Sequence, residues 1–228
     1  MIERGERRHL RVGDRTASVY LVRPDSPSTG GVLVLHPWWG LNDDVIAYAD
    51  RLAAATGLAI AAPDLFDGQV ATTIPDAERL SDSAAEDVVN ATVAAAAHEL
   101  AAVVGDPAAR LGALGFSFGA HWALWLPAQR SDIAATVVYY GTTEGPILGR
   151  ARVPVLGHFA ESDPYETDEG VAAFETTLRA AGREVEIHRY PGTGHWFAEP
   201  SKDAYVPAAA ELAFDRTVDY LGRTLANF

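Results

Sequence analysis

Short apolar runs alternate along the chain with longer stretches whose apolar positions recur at helical spacing. Residues 16–22 alternate apolar and polar and predict a half-buried strand. Residues 31–36 hold a continuous apolar run that stops at Pro37, the pattern of a strand buried on both faces. Asn42 or Asp43 can cap a helix through about Thr56, ended by Gly57. Residues 58–62 form the next strand, closed by Pro63. Ser81 or Ser83 opens a long Ala-rich helix to about Val104. Residues 111–114 form a short strand that enters a Gly-rich turn, followed by a helix to about Leu126, where Pro127 interrupts. Residues 134–140 and 153–159 are strands, and residues 166–181 a helix stopped by Gly182. Val185–Tyr190 is a strand, and Pro207–Leu225 is the closing helix.

From residue 31 onward strand and helix alternate. Parallel strands need crossover connections, so this order predicts an α/β fold: a mostly parallel central sheet with helices on both faces. The chain has 228 residues and no Ser/Gly/Pro-rich linker, so one domain is expected over residues 1–228. No repeat of fixed period is visible.

Charge narrows the partners. The 18 basic and 31 acidic residues give a net charge of −13. Nucleic acid is disfavoured, because its binding rests on cationic side chains that release counterions. Anionic membranes are disfavoured for the same reason. With no cysteine, disulfides, thiolate metal sites and a cysteine nucleophile are excluded. Residues 1–12 are charged and no signal peptide is expected. The longest apolar runs, near 53–63 and 93–104, are broken by Gly57, His98 and Glu99 and fall short of the ~20 residues of a membrane span. The expectation is a soluble cytoplasmic protein, monomer or homodimer, acting on a small molecule.

Candidate chemistry begins at Gly115-Phe116-Ser117-Phe118-Gly119, a G-x-S-x-G placed where strand, sharp turn and helix are predicted. Such a turn needs small residues at both glycine positions, because neighbouring backbone approaches the serine closely. An acid and a histidine should follow in that order, each just beyond a later strand. Asp163 follows the strand over 153–159, and His195 follows Val185–Tyr190. All three fall at carboxyl ends of predicted strands, where open α/β sheets place their sites. A serine hydroxyl is a poor nucleophile until a base takes its proton. His195 is suited to that exchange, with Asp163 fixing its tautomer. Two backbone donors should face the oxyanion: the N–H of Phe118, and one from the loop after the strand over 31–36. Pro37 has no N–H, so Trp38 is the expected donor from that loop. Glu161 and Glu166 compete locally for the role of the acid. His36, His121 and His158 read as packed or near-site histidines, and no histidine pair has metal-ligand spacing, so no metal is expected. Asp64 and Asp67 suit a turn role.

The ordered set His36-Pro37-Trp38-Trp39-Gly40-Leu41-Asn42, Ala62-Pro63-Asp64-Leu65-Phe66, the turn at Ser117, Tyr139-Tyr140-Gly141, the Asp163 segment and Gly194-His195-Trp196-Phe197 resembles the dienelactone hydrolase family of α/β-hydrolases over about residues 30–225. The resemblance implies hydrolysis of an ester, lactone or similar acyl bond through an acyl-enzyme, with no lid domain and no cofactor. Trp39, Tyr140 and Trp196 are expected to contact substrate. Where the family's namesake enzymes carry Cys, this chain has Ser117; where they carry Glu in the first loop, it has Pro37. Both changes together suit a Ser-His-Asp enzyme. Their Arg shortly after the histidine matches Glu199 here, an anion expected to repel a substrate carboxylate and so to favour a neutral ester or lactone. The same residues would also serve a thioesterase, or stand in a non-catalytic binding module.

Overall fold

The computed structural model describes residues 4–24, 28–150 and 153–225. Eight strands form one sheet: β1 (Glu6–Val12), β2 (Arg15–Val22), β3 (Gly30–Leu35), β4 (Ala59–Pro63), β5 (Arg110–Phe116), β6 (Ile133–Tyr139), β7 (Val155–Ala160) and β8 (Val185–Tyr190). Their spatial order is β1-β2-β4-β3-β5-β6-β7-β8. β1 pairs with β2, and β2 with β4, antiparallel; every pairing from β4 to β8 is parallel. Among the described residues six α-helices cover it: α1 (Asp43–Thr56), α2 (Ile74–Ser83), α3 (Glu86–Val104), α4 (Phe118–Trp125), α5 (Asp168–Ala180) and α6 (Pro207–Leu225).

The two faces of the sheet follow from the period of two in each strand. In β3, Val32 and Val34 meet α1 and α6 through Val45, Ile46, Leu52 and Leu221. Leu33 and Leu35 point the other way, onto α3 and α4 through Val93, Leu100 and Ala123. A third cluster joins α4 and α5 under β6 and β7 through Leu124, Val138, Phe159 and Phe174. Every residue of β3 and β4 is buried, as a strand covered on both faces must be.

Asn42 caps α1, its side chain accepting from the Val45 N–H, and Gly57 ends the helix at φ 68°. One strand is added to the sequence reading and two readings need correction. The charged segment before Val12 is a strand: its half-buried residues, among them Leu10 and Val12, alternate with exposed ones and pair with β2. Ser81 and Ser83 close a helix instead of opening one. α2 starts at the Thr73 cap with Pro75 in its first turn, and α3 begins after Ala85 with no side-chain cap. Among the described residues α3 is also long and apolar enough to cross a membrane by length and composition. His98 and Glu99 interrupt its apolar run but not its average. In this fold α3 covers β3 and β4 with Val89, Val93, Ala96, Ala97 and Leu100.

Candidate active site

β5 passes into α4 through one residue, Ser117, at φ 45° and ψ −112°. A side chain at positive φ is strained and persists only where its surroundings force it. Here the Ser117 N–H donates to the Tyr139 carbonyl (2.9 Å) and its own carbonyl accepts from Ala120 (2.8 Å). A Cβ at Gly115 would lie 2.4 Å from the Gly119 oxygen, and one at Gly119 2.4 Å from the Leu35 oxygen. A third glycine completes the fit: a Cβ at Gly141 would lie 2.6 Å from the Ser117 oxygen. The bend therefore exists only because three side chains are missing around it.

Ser117 Oγ lies 2.9 Å from His195 Nε2. His195 Nδ1 lies 2.7 Å from Asp163 Oδ2, and both side chains are almost fully buried. The other Asp163 oxygen accepts the N–H groups of Tyr165 (2.9 Å) and Glu166 (3.1 Å). An ionised carboxylate only accepts, so His195 holds its proton on Nδ1 and turns a free lone pair on Nε2 toward the serine. The rival acids are engaged elsewhere: Glu161 accepts from the Gly192 N–H, and Glu166 accepts from Thr142.

Trp38 sits in the loop after β3. That loop is tied to the loop after β4 by His36, whose Nε2 accepts the Leu65 N–H (3.0 Å). His36 Nδ1 then carries the proton and donates to the Pro37 carbonyl (2.7 Å). Burial pushes its pKa down, which keeps the ring neutral. Asp64 takes the turn role, accepting from the Phe66 and Gly68 N–H groups. Among the described residues no protein acceptor takes the N–H of Phe118 or of Trp38.

Trp38, Ser117, Phe118 and His195 line one open cavity of about 400 Å³. Trp39, Tyr140 and Trp196, expected to contact substrate, do not line it. Tyr140 is fully buried; at φ 36° its ring turns beneath His195, 5.0 Å between centroids, and its hydroxyl donates to Glu199 (3.0 Å). Trp39 is buried under Lys202, whose Nζ stands 3.4 Å over the ring. Trp196 packs between Trp38, Trp39 and Tyr165. Glu199 is corrected as well. It lies behind Tyr140, 3 % exposed, where burial pushes its carboxyl up to about 8, so it presents no charge to a substrate.

Of the remaining wall, Glu166, His121 and Ser81 stand out in the sequence, for other roles. Thr142, Tyr165 and Glu166 form one part of it, and Ser81, His121 and Trp122 another. Tyr165 tilts its exposed ring against His195, 4.8 Å between centroids, and meets Trp38 edge to face at 5.6 Å. His121 reaches Thr143 (2.8 Å) and is kept neutral by burial. Among the described residues no group of three His, Asp or Glu could hold a metal ion.

Residues 17–225 match the model of the dienelactone hydrolase family. The chain belongs to that family. It is thereby a hydrolase of the α/β-hydrolase fold. Two relatives show the degree of likeness. The Azospirillum brasilense protein named "Putative carboxymethylenebutenolidase" is 31 % identical, over 93 % of this chain and 95 % of the relative. The Bradyrhizobium sp protein named "Probable 2-oxo-3-(5-oxofuran-2-ylidene)propanoate lactonase" is 30 % identical, over 89 % and 87 %. A solved dienelactone hydrolase-like promiscuous phosphotriesterase from metagenomic libraries shares the fold, with a TM-score of 0.85, 21 % identity and coverage of 96 % and 98 %.

Proposed function

We propose that this dienelactone hydrolase family member cleaves small ester or lactone bonds through Ser117, His195 and Asp163. The observation that carries the reading is the hydrogen-bonded chain from Ser117 Oγ through His195 to Asp163, opening on a cavity. Ser117 Oγ attacks the acyl carbon while its proton passes to His195 Nε2. The oxyanion so formed is held by the N–H groups of Phe118 and Trp38. The intermediate collapses, the acyl–oxygen bond breaks, and the departing alkoxide takes the proton from His195. Water then attacks the acyl-enzyme with His195 again as base, releasing the acid and restoring Ser117. In a lactone, alcohol and acid leave as one molecule. Asp163 stays ionised throughout and stabilises the imidazolium. The name of the Bradyrhizobium relative, a probable lactonase, supports the bond type.

The test is labelling by a fluorophosphonate probe together with p-nitrophenyl acetate turnover. The wild type is expected to label and turn over, while Ser117→Ala does neither and His195→Ala loses roughly 10³-fold or more in kcat. A folded wild type that neither labels nor turns over would overturn the reading in favour of a binding protein.

A further inference from the structure

Glu166 stands at the wall of the Ser117 cavity. Its Oε1 accepts the Thr142 N–H (2.9 Å) and its Oε2 the Thr142 hydroxyl (2.8 Å), so one threonine fixes the carboxylate in place. Among the described residues no Lys or Arg lines the cavity, and none pairs with Glu166. Burial pushes its carboxyl above the ordinary range, and Asp163 adds in the same direction. The two Thr142 hydrogen bonds and the His195 ring act in the other direction. Four aromatic side chains share the wall with Glu166: Trp38, Phe118, Trp122 and Tyr165. Ring faces attract an ammonium group through their quadrupole, and a fixed carboxylate attracts it by Coulomb's law. A substrate carboxylate meets the opposite of both.

Resting on the reading of Ser117 as nucleophile, we infer that this cavity selects esters carrying an alkylammonium group, which Glu166 and the surrounding rings bind. Glu166 holds Asp163 through its backbone N–H, so exchanging the side chain leaves that bond in place. A glutamine can also keep both bonds to Thr142, its oxygen accepting the N–H and its amide donating to the hydroxyl.

The probe is choline against its uncharged isostere, neohexanol, with affinities measured by titration calorimetry on wild type and Glu166→Gln. Choline is expected to bind the wild type roughly tenfold more tightly, and Glu166→Gln to bring the two within about threefold. The kcat/KM ratio of acetylcholine to neohexyl acetate should move in parallel. Equal affinities in the wild type, or a ratio unchanged in the variant, would overturn the inference. Salt gives a check without mutation: the choline advantage should shrink between roughly 20 mM and 500 mM ionic strength, and a constant advantage would also overturn it. The binding comparison does not need turnover. A protein that fails fluorophosphonate labelling loses the serine-hydrolase reading, while choline against neohexanol still decides the ammonium site.

Discussion

Tyr140 and Glu199 show how a single residue can be placed near a site and still face away from it. Both lie in segments that bear on Ser117 and His195 and that hold a residue at positive φ, Tyr140 itself and Trp196, yet the Tyr140 ring runs under the histidine and Glu199, behind it, accepts from the Tyr140 hydroxyl. Sequence spacing carries no sign of φ, so position was legible and direction was not. Ser117, Asp163 and His195 were legible because each needs only to follow its strand. The buried carboxyl of Glu199 has a consequence for stability. With a folded pKa near 8 against an ordinary 4.5, the native chain holds a proton that the unfolded chain has released between those values. Stability from this group is thus full below the lower value and is lost as pH rises through the upper one. Glu199→Gln should match the wild type near pH 5 and exceed it by about 1–3 kcal/mol near pH 9, as thermal unfolding at the two pH values would show.

At the scale of elements, the bend between β5 and α4 depends on a glycine outside its own motif. Gly141 lies two residues beyond β6, and a Cβ there would meet Ala120 Cβ and the Ser117 carbonyl, both at 2.6 Å. Backbone and a core methyl cannot swing aside as a flexible side chain can. Gly141→Ala should cost about 1–3 kcal/mol in urea unfolding and weaken probe labelling. Gly149→Ala, which has open space around it, should cost less than about 0.5 kcal/mol. The missed elements have equally local causes. β1 carries four charges in seven residues, Glu6, Arg7, Arg8 and Arg11, because it is the outer strand and only alternate positions face inward. α2 buries only Ala77 and Leu80, too few apolar positions for a periodic signal. Its closing serines resembled the cap that α3 does without.

Across the whole molecule, parallel pairing from β4 to β8 was readable from the alternation of strand and helix, while the antiparallel edge was not. That edge protects the sheet. β2 continues through Val19, Tyr20, Leu21 and Val22, all buried, and without β1 it would offer an unpaired apolar strand to another chain. Deleting residues 1–12 should yield self-associating protein by size-exclusion light scattering, with Ser117 labelling kept in its soluble fraction, since no residue of β1 borders the cavity. The order of the strands in the chain bears on synthesis too. The proposed nucleophile leaves the ribosome 78 residues before its base, and that base follows β8, the far edge strand of the sheet. Until that strand docks, the growing polypeptide holds a serine no more reactive than any other. Hydrolytic power then arrives in one step with the last pairing, so a stalled or prematurely released fragment is chemically silent.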